Sequence, residues 1–247
     1  MLLVANWKAY VEDLKRAQAL FSLSKRLARS AKTKIVLAPP APFLGALSLK
    51  NKSSVLFAAQ DVSATTGGAQ TGEVAAQVFA AAGATYALVG HSERRAAGDT
   101  QTVVTEKLAH ALAHGLTPIL CVGEHERDSD GKYLSFVREQ LTRAYDPLSL
   151  KERKQIIVAY EPVWAINKTA ALSIAPQDLA EMILYIRKVL GDLLLGKGSL
   201  KTLVLYGGSI EPSNVRALAA ASSVDGFLIG HASVDPISFT QIIKELS

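Results

Sequence analysis

The chain has 247 residues, 49% hydrophobic and 20% charged, the balance of an ordinary globular protein with a sizeable core. Its single cysteine, Cys121, excludes an intrachain disulfide framework and fits a reducing, cytoplasmic location. The 27 basic and 22 acidic side chains leave a net charge of +5, yet they are scattered and form no basic arm interleaved with aromatics. Nucleic acid is therefore not an expected partner, whereas a mild positive field suits a small anionic ligand.

The chain reaches Trp7-Lys8 after six residues, too few for the apolar region of a signal peptide, so no leader is expected. Short runs that are apolar throughout then recur: Leu2 to Ala5, Ile35 to Ala38, Val55 to Ala58, Tyr86 to Val89, Ile119 to Val122, Ile156 to Ala159, Leu203 to Tyr206 and Phe227 to Ile229. Lack of alternation is what strands buried on both faces require. Between them lie segments of helical period, clearest at Val11 to Ala31, Val103 to His114, Tyr133 to Tyr145 and Pro176 to Leu195. Start signals stand at Pro176-Gln177-Asp178 and Glu211-Pro212-Ser213-Asn214. Met182 to Leu195 is the most apolar helix, but Arg187, Lys188 and Asp192 interrupt it, so no membrane span is expected. The sequons at Asn51 and Asn167 read as chance matches in this context. Eight strand–helix alternations without a linker predict an α/β chain forming one (β/α)8 barrel over residues 1–247, with a doubly wound sheet as the alternative.

In such a barrel the chemistry gathers at the C-terminal ends of the strands. Those positions hold Asn6-Trp7-Lys8, then His91-Ser92-Glu93, then Glu161, then Gly207-Gly208-Ser209, and last Gly230-His231. Each has a bland reading, such as a solvated lysine, a polar loop histidine or an ordinary glycine turn. Glu161 is the most informative, because Pro162 restricts the backbone on both sides of the peptide bond and holds the carboxylate in place. A carboxylate fixed there suits a general base facing a pocket. Cys121, inside an apolar run, reads as a small buried residue.

Over essentially its full length the chain resembles the triosephosphate isomerase family. The resemblance is carried by Ala5-Asn6-Trp7-Lys8, Thr71-Gly72-Glu73, Val89-Gly90-His91-Ser92-Glu93-Arg94-Arg95, Cys121-Val122-Gly123-Glu124, Ala159-Tyr160-Glu161-Pro162-Val163-Trp164-Ala165-Ile166, Tyr206-Gly207-Gly208-Ser209 and Asp225-Gly226-Phe227-Leu228-Ile229-Gly230. It implies a TIM barrel that interconverts dihydroxyacetone phosphate and glyceraldehyde 3-phosphate through an enediolate. Glu161 takes the position of the base, His91 that of the electrophile and Lys8 that of the cation. Asn6 orients the substrate, and Glu93 helps hold Asn6, Lys8 and His91. The phosphate would meet the amides of Ser209, Gly230 and His231, with Asn167 as a further donor. No metal or organic cofactor is implied; His110 and His114 stand four residues apart without an acidic companion. Residues 64–71, rich in glycine and threonine, match the family's interdigitating loop and imply a homodimer.

Two departures stand out. His231 replaces a glycine common after strand 8; its amide is expected to stay a donor, with the imidazole turned away from phosphate. The lid after strand 6 lacks a Gly-x-Gly tip and is about two residues longer than usual, running Asn167 to Ala175. Its hinge falls either at residues 168–170 or, the reading favoured here, near Ser173. Another phosphate-handling barrel enzyme and a catalytically weakened homologue are the competing functions.

Overall fold

The computed structural model describes residues 1–30, 33–166, 168, 173–196 and 201–247. Its strands are β1 (Leu2–Asn6), β2 (Lys34–Ala38), β3 (Leu56–Ala59), β4 (Tyr86–Val89), β5 (Thr117–Val122), β6 (Ile157–Tyr160), β7 (Val204–Tyr206) and β8 (Gly226–Ile229). Each pairs with the next and β8 returns to β1, giving a closed barrel. All pairings are parallel, and the closing seam runs from Leu2 opposite Gly226 to Ala5 opposite Ile229. Closure leaves no free strand edge.

The helices around it are α1 (Leu14–Ser30), α2 (Ala41–Ser48), α3 (Ala76–Ala81), α4 (Ser92–Ala96), α5 (Gln101–Ala113), α6 (Lys132–Tyr145), α7 (Leu150–Arg153), α8 (Pro176–Leu193), α9 (Val215–Ser222) and α10 (Pro236–Glu245). Several begin where the sequence supplies a cap. Thr100 accepts the Val103 amide, Asp235 accepts the Ser238 amide, and Ser149 with Glu152 forms a reciprocal capping box. Each such cap stabilises by roughly 1 kcal/mol.

The two-residue period of a strand sorts the apolar runs into two cores. Leu2, Val4, Val36, Leu88, Ile119, Cys121, Ile157, Ala159, Leu205 and Leu228 form a cluster made only of strand residues, which places it in the barrel lumen. Their neighbours Leu3, Ala5, Ile35, Leu37 and Val158 join Leu20, Leu44, Leu108, Leu141, Ile183 and Ile242 of the helices in the outer core. Burying each large apolar side chain contributes about 1.5–3 kcal/mol, so both strand faces resist a polar residue. Carried to the strand ends and just beyond, the lumen parity includes Asn6, Gly123, Glu161, Gly207 and Gly230. The rule that fills the lumen with leucine and valine thus delivers a carboxylate, an amide and three bare backbones to its mouth.

The expected strands match the observed ones to within a residue or two. The long helices also fall where periodicity put them, although α1 begins only at Leu14 and its expected end at Ala31 lies outside the described residues. The short helices α2 and α3 were not foreseen. Ala41–Ser48 and Ala76–Ala81 are alanine-rich and carry almost no polar stripe, so they offer no helical period to read.

Candidate active site

Lys8 follows β1 with a left-handed backbone, φ 47°, which costs a lysine roughly 1–2 kcal/mol. Two side chains hold it there. Asn6 Oδ1 accepts the Lys8 amide at 3.1 Å, and Gln60 Nε2 donates to the Lys8 carbonyl at 2.9 Å. Gln60 also donates to the Ala38 carbonyl at 2.9 Å, tying the β2 and β3 ends to the turn. The strained turn aims the ammonium at Glu93, with Nζ 2.7 Å from Oε1. Strain held by surrounding bonds is characteristic of functional positions.

His91 caps the short helix α4: its Nδ1 accepts the Glu93 amide at 3.2 Å. A nitrogen that accepts an amide offers no proton, so this hydrogen bond leaves Nε2 as the donor the ring presents. That nitrogen faces the lumen and lies 3.3 Å from Glu161 Oε1. The Glu93 carboxylate is 3.9 Å from Nδ1, beyond hydrogen-bonding reach, so Glu93 holds the ring through its backbone and Lys8 through its side chain. The expected hold on Asn6 takes another form, since the Asn6 side chain turns onto the Lys8 amide.

Glu161 follows β6 and is 2% exposed. Its amide donates to the Val122 carbonyl at 2.8 Å, and its Oε2 accepts the Ser92 amide at 3.2 Å. Two glycines make room for it. A Cβ on Gly123 would lie 1.9 Å from the Glu161 carbonyl oxygen, and one on Gly207 would lie 2.8 Å from Glu161 Cγ. No side chain fits the first position, and only a displaced Glu161 would tolerate the second.

Glu161 is also gripped from both flanks. Tyr160 Oη and Trp164 Nε1 both donate to Glu124 Oε1, at 2.8 and 2.9 Å, and the Val163 amide donates to the Glu124 carbonyl at 2.9 Å. Burial, reinforced by Glu124, pushes the Tyr160 phenol well above its ordinary value, so it remains a neutral donor. Gly123, Glu124 and Gly207 stand within the motifs, yet nothing local in the sequence assigns them these roles. Gln60 carries no local signal, because its two acceptors lie 22 and 52 residues away in the chain.

A cavity of about 470 Å³ opens at this mouth, lined by Asn6, Lys8, His91 and Glu161 at one end and by Ser209, Gly230 and His231 at the other. The Ser209 hydroxyl donates to the Ala165 carbonyl at 2.9 Å and accepts the Lys168 amide at 3.0 Å, linking the turn after β7 to the segment after β6. His231 opens a 3-10 turn, His231–Ser233, and is absent from the residues of positive φ, so a non-glycine residue fits its backbone. Its imidazole stands edge-on to Tyr10, ring centres 5.4 Å apart. Asn167 and residues 169–172 lie outside the described residues, which removes Asn167 and most of the lid from the site's geometry. Ser173, the favoured hinge, accepts from Asn214 Nδ2 at 3.4 Å, and Asn214 Nδ2 also donates to the Ser209 carbonyl at 3.0 Å. Among the described residues no cluster of three His, Cys, Asp or Glu side chains could hold a metal ion.

The mouth therefore presents a buried carboxylate, an imidazole N–H and an ammonium around one space, with backbone-rich turns opposite. This arrangement can move a proton on a carbon beside a carbonyl while an anionic tail is held at the far end.

A family model described as triosephosphate isomerase matches residues 1–246. The chain is 36% identical over 249 residues to the triosephosphate isomerase of Moorella thermoacetica, with 98% of this chain and 97% of that protein covered. It is 38% identical over 253 residues to that of Alkalilimnicola ehrlichii, covering 98% and 97%. With the Thermus thermophilus triosephosphate isomerase the identity is 36% over 247 residues, covering 99% and 98%.

Proposed function

The chain belongs to the triosephosphate isomerase family, and we propose that Glu161, His91 and Lys8 form its reacting centre. The protein is an isomerase that interconverts dihydroxyacetone phosphate and D-glyceraldehyde 3-phosphate, a step of glycolysis. The Glu161 carboxylate takes a proton from the carbon beside the carbonyl. The electron pair moves into a carbon–carbon double bond, and the carbonyl oxygen gains the charge of an enediolate. His91 donates from Nε2 to that oxygen, and the Lys8 ammonium stabilises the charge that develops. Glu161 then returns its proton to the carbon that bore the carbonyl, while the proton of the neighbouring hydroxyl passes, by way of His91 Nε2, to the charged oxygen, so the former hydroxyl becomes the new carbonyl and the former carbonyl the new hydroxyl. The substrate's own carbonyl accepts the electrons, so the scheme calls for no cofactor.

Asn6 and Glu93 act through Lys8 and His91 in this reading, and Asn6 also faces the substrate. The phosphate dianion takes the amides of Ser209, Gly230 and His231, the last at the start of the 3-10 turn. The further contact proposed for Asn167 lies outside the described residues. The observation that carries the reading is the 3.3 Å approach of His91 Nε2 to Glu161 Oε1 on the wall of a cavity shared with Lys8. A coupled isomerase assay on the purified protein tests it: turnover of glyceraldehyde 3-phosphate supports the reading, and its absence refutes it.

We further propose a homodimer of single-domain subunits spanning 1–247. A second cavity of about 350 Å³ adjoins the first, lined by Asn6, Lys8, His91 and Glu93 on one side and by Gly72 and Glu73 on the other. Beside it the residues from Thr66 to Glu73 are exposed, and Gly67, Gly68 and Gly72 take positive φ. A loop of this form can enter the matching cavity of a second copy. Among the described residues no helix is long and apolar enough to cross a membrane. A cytoplasmic location is proposed from the chain's metabolic role and its single cysteine.

A further inference from the structure

The residues on either side of Glu161 converge on one oxygen. Tyr160 and Trp164 both donate to Glu124 Oε1, while Glu124 Oε2 has no hydrogen-bond partner among the described residues. Glu124 is 1% exposed. A charge this buried is stabilised only when it is paired and hydrogen-bonded. Among the described residues the cation paired with it is Arg127, three residues on in the same loop after β5, with Nε 3.5 Å from Glu124 Oε1 as a charge contact without a hydrogen bond. The same guanidinium donates from Nη2 to the Tyr160 hydroxyl at 3.4 Å and lies over the Trp164 ring, 5.6 Å from its centre. Tyr133, on α6, takes another contact with it at 5.0 Å. One side chain thus meets Glu124 and both residues that Glu124 holds.

We propose that Arg127 is a positioning residue for Glu161: it keeps Tyr160 and Trp164 drawn onto Glu124, and so sets the place from which the carboxylate reaches the substrate carbon. The proposal rests on the reading of Glu161 as the base. Arg127 lines neither the 470 Å³ cavity nor the one beside it, so its influence passes through its neighbours. Arginine suits the task because a planar fork can bond a hydroxyl and pair by charge with a carboxylate while stacking on rings, which lysine cannot do at once. The pairing is also charge-consistent. Burial works against the Arg127 charge, while the Tyr160 oxygen and the Glu124 carboxylate outweigh it and hold the guanidinium above its ordinary value.

The test compares the parent with Arg127→Met, which keeps the stem without charge, and with Arg127→Lys, which keeps charge without the fork. Turnover and KM for glyceraldehyde 3-phosphate are measured with the inhibition constant of inorganic phosphate and with indole fluorescence, Trp164→Phe assigning the Trp164 signal. The expected result for Arg127→Met is a kcat about ten- to a hundredfold lower, the cost of a small misplacement of the reacting group. KM and phosphate inhibition should change by less than about twofold, since the phosphate ligands sit on the far side of the mouth. Trp164 emission should change once its cation and carboxylate partners are disturbed, and Arg127→Lys should recover part of the lost turnover. Parental kcat with unaltered Trp164 emission in Arg127→Met would overturn the proposal. So would kcat and phosphate affinity falling together, which marks a general defect. A parent without turnover would instead refute the isomerase reading, and the emission of Trp164 would still decide whether Arg127 holds that residue.

Discussion

Gly207→Ala separates the geometry of the base from the stability of the barrel. Gly207 has no positive φ, so alanine meets no backbone penalty and stability should change by less than about 1 kcal/mol. The added Cβ would nevertheless stand 2.8 Å from Glu161 Cγ and 3.3 Å from Oε1. Ordinary carbon contacts lie near 3.5–4.0 Å, so Glu161 must retreat by about 1 Å. Rotating the side chain relieves the clash cheaply, but it carries the carboxylate away from His91 Nε2 and from the substrate carbon. A displacement of that size costs on the order of a hundredfold in turnover. The KM should stay close to parental, because Lys8 and the phosphate turns are untouched. A coupled assay and a thermal melt on the same preparation measure both sides. Parental kcat with an unchanged melting temperature would refute the claim that the bare backbone at Gly207 fixes the base; a large loss of stability would show that the glycine serves packing instead.

Deleting residues 65–70 should yield monomers with little activity, because the turns after β1 and β4 lose a partner; sedimentation showing a fully active monomer would sink the dimer proposal. Lys107, buried on α5, lies 2.8 Å from Asp61 and 2.6 Å from Asp99, while Arg94 also reaches Asp61 at 2.8 Å. Burial raises the Asp61 carboxyl, with Lys107 and then Arg94 drawing it back, so the cluster depends on its cations. Lys107→Met should therefore cost about 3 kcal/mol, seen as a lower urea midpoint, since it strands two carboxylates of which Arg94 can serve only part. An unchanged midpoint would show that the carboxylates are hydrated well enough to need no lysine.

The strands and the long helices were legible because their signals are local. A run apolar on both faces has few uses other than a strand between lumen and helices, and the same two-residue count carries on to Asn6 and Glu161. Glu161 could be read for the same reason, since the proline after it is a local signal, whereas His91 read as a polar loop residue until the family resemblance and its place at the start of α4 gave it a role. What the sequence hid is what depends on approach between distant segments. Gly207 reads as a turn and Gly123 only as part of a motif, yet the importance of both lies in the missing Cβ beside Glu161. Gln60 gives no hint that it props up the Lys8 turn, and nothing around Lys8 announces a left-handed lysine. His231 shows a third case, in which a departure from the expected glycine could be judged only once its ordinary backbone and its contact with Tyr10 were visible.

If the Glu161 carboxylate carries the proton, Glu161→Gln should abolish its transfer through this group while leaving the site in place. The amide keeps the size of the side chain but cannot accept a proton in its place. The parent should interconvert the two triose phosphates and the variant should be slower by roughly a thousandfold, within the range for loss of a general base. Inorganic phosphate should inhibit or bind both proteins alike, since its ligands are unaltered. A Glu161→Gln protein that turns over glyceraldehyde 3-phosphate at the parental rate would contradict the account.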